Sequence, residues 1–150
     1  MDTSVLYVVA TPIGNMKDIT LRALEVLKSV DLVISEDTRE TSKLFKQYGI
    51  DKPQISYRDQ NHLKVLPVIL ETLSSKKSVA LVSDSGTPLI SDPGFKLVKA
   101  VREKNFKIEP IPGPSALIAA LSASGLPTDK FAFLGFLPKG ANQRKKLIKT

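Results

Sequence analysis

Five short apolar runs, each followed by a polar turn and then by apolar residues at helical spacing, divide most of this chain. They fall at residues 6–10, 32–35, 55–57, 79–82 and 108–111. Runs this short and this rich in branched residues read as buried strands. Their alternation with helices predicts an α/β fold: a mostly parallel five-stranded sheet with helices on both faces. The helix faces read as Leu21, Leu24 and Leu27 behind an N-cap at Asp18 or Thr20, then Leu44, Phe45 and Tyr48 closed by Gly49. Leu63, Leu66, Ile69, Leu70 and Leu73 mark a third helix, with Pro67 in its first turn or at a kink. Phe95, Val98 and Val101 mark a fourth, and Leu117, Ile118 and Leu121 a fifth over about 115–122.

Three of the strand ends carry Pro and Gly in the turn: Thr11-Pro12-Ile13-Gly14-Asn15, the stretch 83–94 with Ser83, Asp84, Ser85, Gly86, Thr87 and Pro88, and Pro112-Gly113-Pro114-Ser115-Ala116. In open α/β sheets ligands bind at the carboxyl ends of strands. Turns of this composition offer backbone donors and short side chains in place of bulk, and three together favour one shared crevice over three ordinary connections. Neither G-x-G-x-x-G nor the P-loop pattern follows a strand, so a dinucleotide or a P-loop phosphate lacks its fingerprint. A ligand with a polar head and a flat ring suits the turns, S-adenosylmethionine or a nucleoside being two that fit.

Composition narrows the class further. With 150 residues and 42% apolar content the chain can bury a core. The absence of cysteine and the single histidine, His62, leave no thiolate or His-rich metal site and fit a reducing cytoplasm; His62 reads as the start of a surface helix. No apolar run is long enough for a membrane span. Lys139, Arg144, Lys145, Lys146 and Lys149 carry most of the +7 net charge, so the basic balance describes the tail more than the domain. Residues 1–122 are expected to form the α/β domain and 123–130 a linker. Residues 131–150 would open a truncated second α/β domain, led by a β-prone strand at 131–136.

The runs 6–15, Ser35-Glu36-Asp37-Thr38-Arg39, 83–94 and 111–116, extended by 124–127 and 133–138, resemble one branch of the tetrapyrrole (corrin/porphyrin) methylase superfamily, the small-subunit ribosomal RNA methyltransferases. The resemblance implies methyl transfer from S-adenosylmethionine to the ribose 2′-oxygen of a cytidine in 16S rRNA, by a homodimer about twice this length. Within the enzyme class the alternative is a superfamily methylase acting on a small molecule or protein; outside it, a non-catalytic RNA-binding module. The resemblance maps cofactor contacts onto Pro12, Ile13, Gly14, Asp84, Ser85, Gly86, Thr87, Ile90, Ser115 and Ala116. Thr87 stands where corrin-type relatives carry aspartate.

A ribose hydroxyl is a poor nucleophile and gains from a proton acceptor. Glu36 and Asp37, at the end of the second strand, are the catalytic candidates, with Asp84 next; Arg39 is placed to pair with them or to hold a phosphate. The bland alternative is that Glu36-Asp37-Thr38 only caps a helix. Lys17, Arg22, Arg39, Lys43, Arg58 and Asn61, with the basic tail, are the candidate RNA contacts, and Tyr57 is a candidate to stack on a splayed base.

Overall fold

The computed structural model describes residues 4–149; residues 1–3 and 150, included in the expected domains, lie outside the described residues. The chain divides after Ala116 into two units. The first holds β1 (Val5–Val9), α1 (Leu21–Ser29), β2 (Leu32–Ser35), α2 (Thr38–Tyr48), β3 (Gln54–Ser56), α3 (His62–Ser74), β4 (Val79–Val82), α4 (Phe95–Glu103) and β5 (Lys107–Ile111). Single 3₁₀ turns at Met16–Asp18 and Asp59–Asn61 precede α1 and α3.

All strand pairings are parallel, in the order β3-β2-β4-β1-β5. Val9 lies opposite Val82 on one side and Ile111 on the other, Ile34 opposite Leu81, and Ser35 opposite Ser56. The five carboxyl ends therefore finish nearly level and form one rim.

Side chains alternate across the sheet with period two. Val9, Val33, Ala80 and Val82 face one layer with Ala23 and Leu27 of α1 and Leu44 and Phe45 of α2. Leu6, Leu32, Ile34, Val79 and Leu81 face the other, with Val65, Ile69 and Leu73 of α3 and Leu97 and Val101 of α4. Helices thus cover both faces, as expected. β4 sends its helix to the face opposite those of its neighbours β1 and β2, so its carboxyl end forms a topological switch point of the sheet.

Caps set the helix limits. Thr20 Oγ1 accepts from the Ala23 amide at 3.0 Å, fixing Thr20 as the α1 cap in place of Asp18. Gly49, at φ +60°, ends α2 in the left-handed conformation. Pro67 sits inside α3, past the first turn. In three helices the first apolar residue of the expected face stands outside the core, although Leu27, Ile69, Leu73 and Val101 of those faces are buried. Leu21, Leu63 and Phe95 are 79%, 88% and 69% exposed, while Ala23, Val65 and Leu97 point inward. Each exposed residue is first or second in its helix, where the chain still stands at the rim above the core.

The second unit contains most of α5 (Ala116–Ala123) and α6 (Ala141–Ile148). Residues 131–136, expected as a strand, have no ladder: Phe131, Phe133, Leu134 and Phe136 are exposed and unpaired with any strand. Apolar, aromatic composition favours a strand only when a neighbouring backbone completes its hydrogen bonds, and among its described residues this unit contains no strand. Among the described residues no helix is long and apolar enough to cross a membrane.

Leu27 is fully buried between α1 and the sheet. Leu27→Ala should lower unfolding free energy by about 2–5 kcal/mol in urea titration, since transfer and cavity costs add.

Candidate active site

The turns after β1, β4 and β5 are joined directly. The Thr11 amide donates to the Gly86 carbonyl at 2.9 Å and the Gly86 amide donates back to the Thr11 carbonyl at 3.1 Å, a single antiparallel bridge across the rim. Thr11 Oγ1 donates to the Ser83 carbonyl at 3.2 Å, and Ser83 Oγ to the Gly86 carbonyl at 3.1 Å. Thr87 Oγ1 donates to the Pro114 carbonyl at 3.1 Å, tying the β4 turn to the β5 turn. Two glycines permit this closeness. Gly86 holds φ +81°, and a Cβ there would stand 3.3 Å from Ile13 Cγ2; a Cβ on Gly113 would meet that of Ala10 at 2.9 Å.

Beside this junction, at the switch point, lies a cavity of about 280 Å³. Its walls are the backbone and short side chains of Thr11–Gly14 and Ser83–Ser85, the apolar Met16 and Leu44, and the carboxylates of Asp84 and Glu40. Of the residues mapped to a cofactor, Pro12, Ile13, Gly14, Asp84 and Ser85 line it. Gly86 and Thr87 hold the turns together behind it. Ile90 is half exposed, and Ser115 and Ala116 lie outside its lining. Glu40 and Thr41, which line it from α2, were not singled out in the sequence; a carboxylate one turn beyond Glu36-Asp37 was the available signal.

The acidic turn after β2 splits into two roles. Asp37 caps α2: its Oδ1 accepts from the Arg39 amide at 2.9 Å and from Arg39 Nε at 3.0 Å, and Oδ2 from Arg39 Nη2 at 2.7 Å. These bonds hold its carboxyl down at about 2, which makes it a weak base. Arg39 is accordingly paired with Asp37. The Asp37 amide donates to Asp84 Oδ1 at 3.0 Å, joining the β2 and β4 turns. Glu36 behaves oppositely. Burial raises its pKa first, then the nearby Asp84 and Asp92 charges, with Arg58 opposing. Its side chain is absent from the walls of the 280 Å³ cavity and faces the adjoining space towards β3. Asp92, in the 83–94 loop but given no role of its own by the sequence, is also raised chiefly by burial.

The candidate RNA contacts divide in the same way. Arg22 is ion-paired with Glu109, which also meets Lys107 Nζ at 3.1 Å, and Lys43 pairs with Glu40 at 2.7 Å. Among the described residues Lys17 and Arg58 form no ion pair. Asn61 braces the turn after β3: its Oδ1 accepts from the Arg58 amide at 2.8 Å and its Nδ2 donates to the Ser56 carbonyl at 3.0 Å. Tyr57 does not offer its ring to a base. It is 1% exposed, with its hydroxyl 2.8 Å from Nδ1 of His62, because the strand end turns it into the α3–α4 core layer. His62 begins α3, half-buried through this contact.

With this geometry in hand, comparison with known proteins is direct. Residues 5–149 match the family of tetrapyrrole (corrin/porphyrin) methylases, and the chain belongs to it. It is 50% identical over 148 residues to the ribosomal RNA small subunit methyltransferase I of Haemophilus influenzae, covering 99% of this chain and 52% of that protein. The protein of that name from Escherichia coli O157:H7 is 49% identical, with 97% and 51% covered. That from Thermotoga maritima is also 49% identical, with 95% and 64% covered. The chain thus spans about half the length of most of these relatives. Among solved structures, a uroporphyrin-III C-methyltransferase from Thermus thermophilus superimposes with a TM-score of 0.62 at 23% identity, over 85% of this chain and 55% of that one. A cobalt precorrin-4 methyltransferase gives 0.66 at 20%, over 81% and 50%. These two establish the fold.

Two outcomes test the geometry. Gly86→Ala should cost about 1–3 kcal/mol of stability in urea titration, as a side chain forced into a left-handed conformation does. Asp37→Asn should lower stability at neutral pH, and its difference from wild type should shrink as pH falls from 3.8 towards about 2. The sign follows from a carboxyl depressed in the folded state, whose contribution is present above its unfolded pKa and is lost as it protonates. Urea titrations across that range read the difference directly.

Proposed function

We propose that this chain is the donor-binding half of an S-adenosylmethionine-dependent methyltransferase acting on the ribose 2′-oxygen of a cytidine in 16S rRNA. The observation that carries the proposal is the Thr11–Gly86 bridge, which closes a cavity at the switch point of a chain half-identical to ribosomal RNA small subunit methyltransferases. The cytidine and its 2′-oxygen come from the resemblance of the motifs. The cytoplasmic location and the homodimer belong to the same proposal, as does the assignment of residues 1–122 to one domain, 123–130 to a linker and 131–150 to the opening of a second.

The residues present fit such a donor. Met16, Leu44 and Ile13 supply an apolar wall for a flat purine, and the amides and carbonyls of the β1 and β4 turns match polar edges. Asp84 and Glu40, the latter paired with Lys43, add negative charge to the walls, which would favour a cationic donor. When bound, the donor supplies a methyl group activated by positive sulfur. The chain's own work is to hold the acceptor oxygen in line and to receive its proton, and alignment alone can remove much of the barrier. Glu36 is the proton acceptor of choice, since Asp37 is held by Arg39 and Asp84 by the Asp37 amide. Its raised pKa makes it a better base than an ordinary carboxylate.

In the full-length protein, Glu36→Gln should slow single-turnover methyl transfer to small-subunit rRNA by about 10²–10⁴-fold, while donor affinity measured by calorimetry stays within a factor of a few. The wild-type rate should climb with pH through the raised Glu36 pKa and then level, because only the ionised carboxylate accepts a proton. Unchanged turnover in the variant removes Glu36 from this role. Absence of any methyl incorporation into rRNA by the wild type removes the function itself.

A further inference from the structure

A second cavity, of about 340 Å³, opens on the other side of the β2 turn, between the ends of β2 and β3 and the loop after β4. Besides Pro93, its walls are Glu36, Arg58, Asp59, Gln60, Ser91 and Asp92. This set is mixed: a guanidinium, a primary amide, a hydroxyl and three carboxylates. Adjoining it is a slot too narrow for water, lined by Tyr57, Leu81, Val82, Pro93 and the single hydroxyl of Ser83, and Glu36 and Asp92 line both spaces. The slot is therefore dry, which accounts for the burial felt by both carboxyls.

Three observations define what enters. First, the two cavities share a wall. Ser83 and Asp84 line the first, the Asp84 carboxylate grips the Asp37 amide, and Glu36, the preceding residue, lines the second. Second, Arg58 makes no ion pair among the described residues, and no side-chain hydrogen bond holds Gln60 among the contacts of the fold. Both stand exposed at the mouth. Their backbone is nevertheless fixed, since Asn61 braces the turn from both sides. Third, the opposite lip is anchored: Leu89 packs into the α3–α4 core layer, so Ser91 and Asp92 are presented from a fastened loop.

On the methyl-transfer proposal above, we infer that this second cavity receives the acceptor nucleotide of single-stranded RNA, with Arg58 on a phosphate, Gln60 on the base edge, and Glu36 and Asp92 on the ribose hydroxyls. The pairing of groups follows ordinary nucleotide chemistry. A free guanidinium at the mouth matches a phosphate, an amide matches the donor and acceptor edge of an unpaired base, and carboxylates beside a dry slot accept from hydroxyls. In the transfer step, a lone pair on the ribose oxygen forms the new C–O bond. The C–S bond breaks with its electron pair leaving on sulfur, and the hydroxyl proton passes to the Glu36 carboxylate. Positive charge is lost at sulfur and negative charge at the carboxylate, with no redox partner required.

The test uses the full-length protein with a single-stranded fragment of small-subunit rRNA. Arg58→Ala and Gln60→Ala alter exposed side chains that form no ion pair among the described residues, and thermal melts check that both variants fold. RNA affinity should fall about 10-fold in each. The Arg58→Ala salt slope, log Kd against log salt, should drop by about one phosphate's worth. Donor affinity by calorimetry should not change. RNA affinity equal to wild type in both variants, or a loss of donor affinity by the same factor as RNA affinity, overturns the assignment of this cavity while leaving methyl transfer intact. A wild type that binds RNA but transfers no methyl group to it overturns the reading on which the assignment rests, and Arg58-dependent RNA binding would still be read separately in the same titrations.

Discussion

The paired backbone hydrogen bonds between Thr11 and Gly86 are the constraint around which the first unit is arranged at its working end. Parallel strands do not exchange hydrogen bonds beyond their own ladder, and the turns that follow them are free to diverge. Here one residue from each of two turns closes an extra antiparallel step above the sheet, and buried hydroxyls reinforce it from below. Each such bond contributes only about 0.5–1.5 kcal/mol net. Their geometric effect is larger: the turns after β1, β4 and β5 are tied into one lip beside the cavity.

Charge is distributed across this lip by hydrogen bonding as much as by residue type. Four carboxylates crowd the β2 and β4 turns, yet they are chemically unlike. Asp37 is ionised and occupied by its own helix and Arg39; Asp84 anchors a neighbouring amide; Glu36 and Asp92 line a slot too narrow for water and protonate more readily. The two turns therefore supply a helix cap, a brace and two carboxyls of raised pKa, with burial and partner geometry separating them.

Much of this was legible in the chain. The strand runs and their order in sequence identified a parallel sheet with both faces covered, because period and length suffice to distinguish a buried strand from a helix here. Of the three Pro/Gly turns read as one crevice, those after β1 and β4 line the cavity, while the third is tied to them through Thr87 with Ser115 and Ala116 outside the lining. Other features depended on partners that a linear pattern does not contain. Leu21, Leu63 and Phe95 fit helical spacing but stand at the rim, where the first turn has no layer to face. Tyr57 looked like a stacking platform and proved to be core, since one step in register decides which side of a strand end is buried. Residues 131–136 have strand composition without a strand to join. Asp92 and Glu40 reach their cavities through folding of loop and helix, and spacing alone does not reveal them.

The ion-paired outer strand has a consequence for assembly. β5 carries Lys107 and Glu109, held by Arg22, together with Pro110, which has no amide hydrogen to donate, and the opposite border, β3, is only three residues long. Neither margin presents an uninterrupted row of free donors and acceptors on which a foreign strand could register. Both margins of the five-stranded sheet are thereby blunted against the addition of a foreign strand.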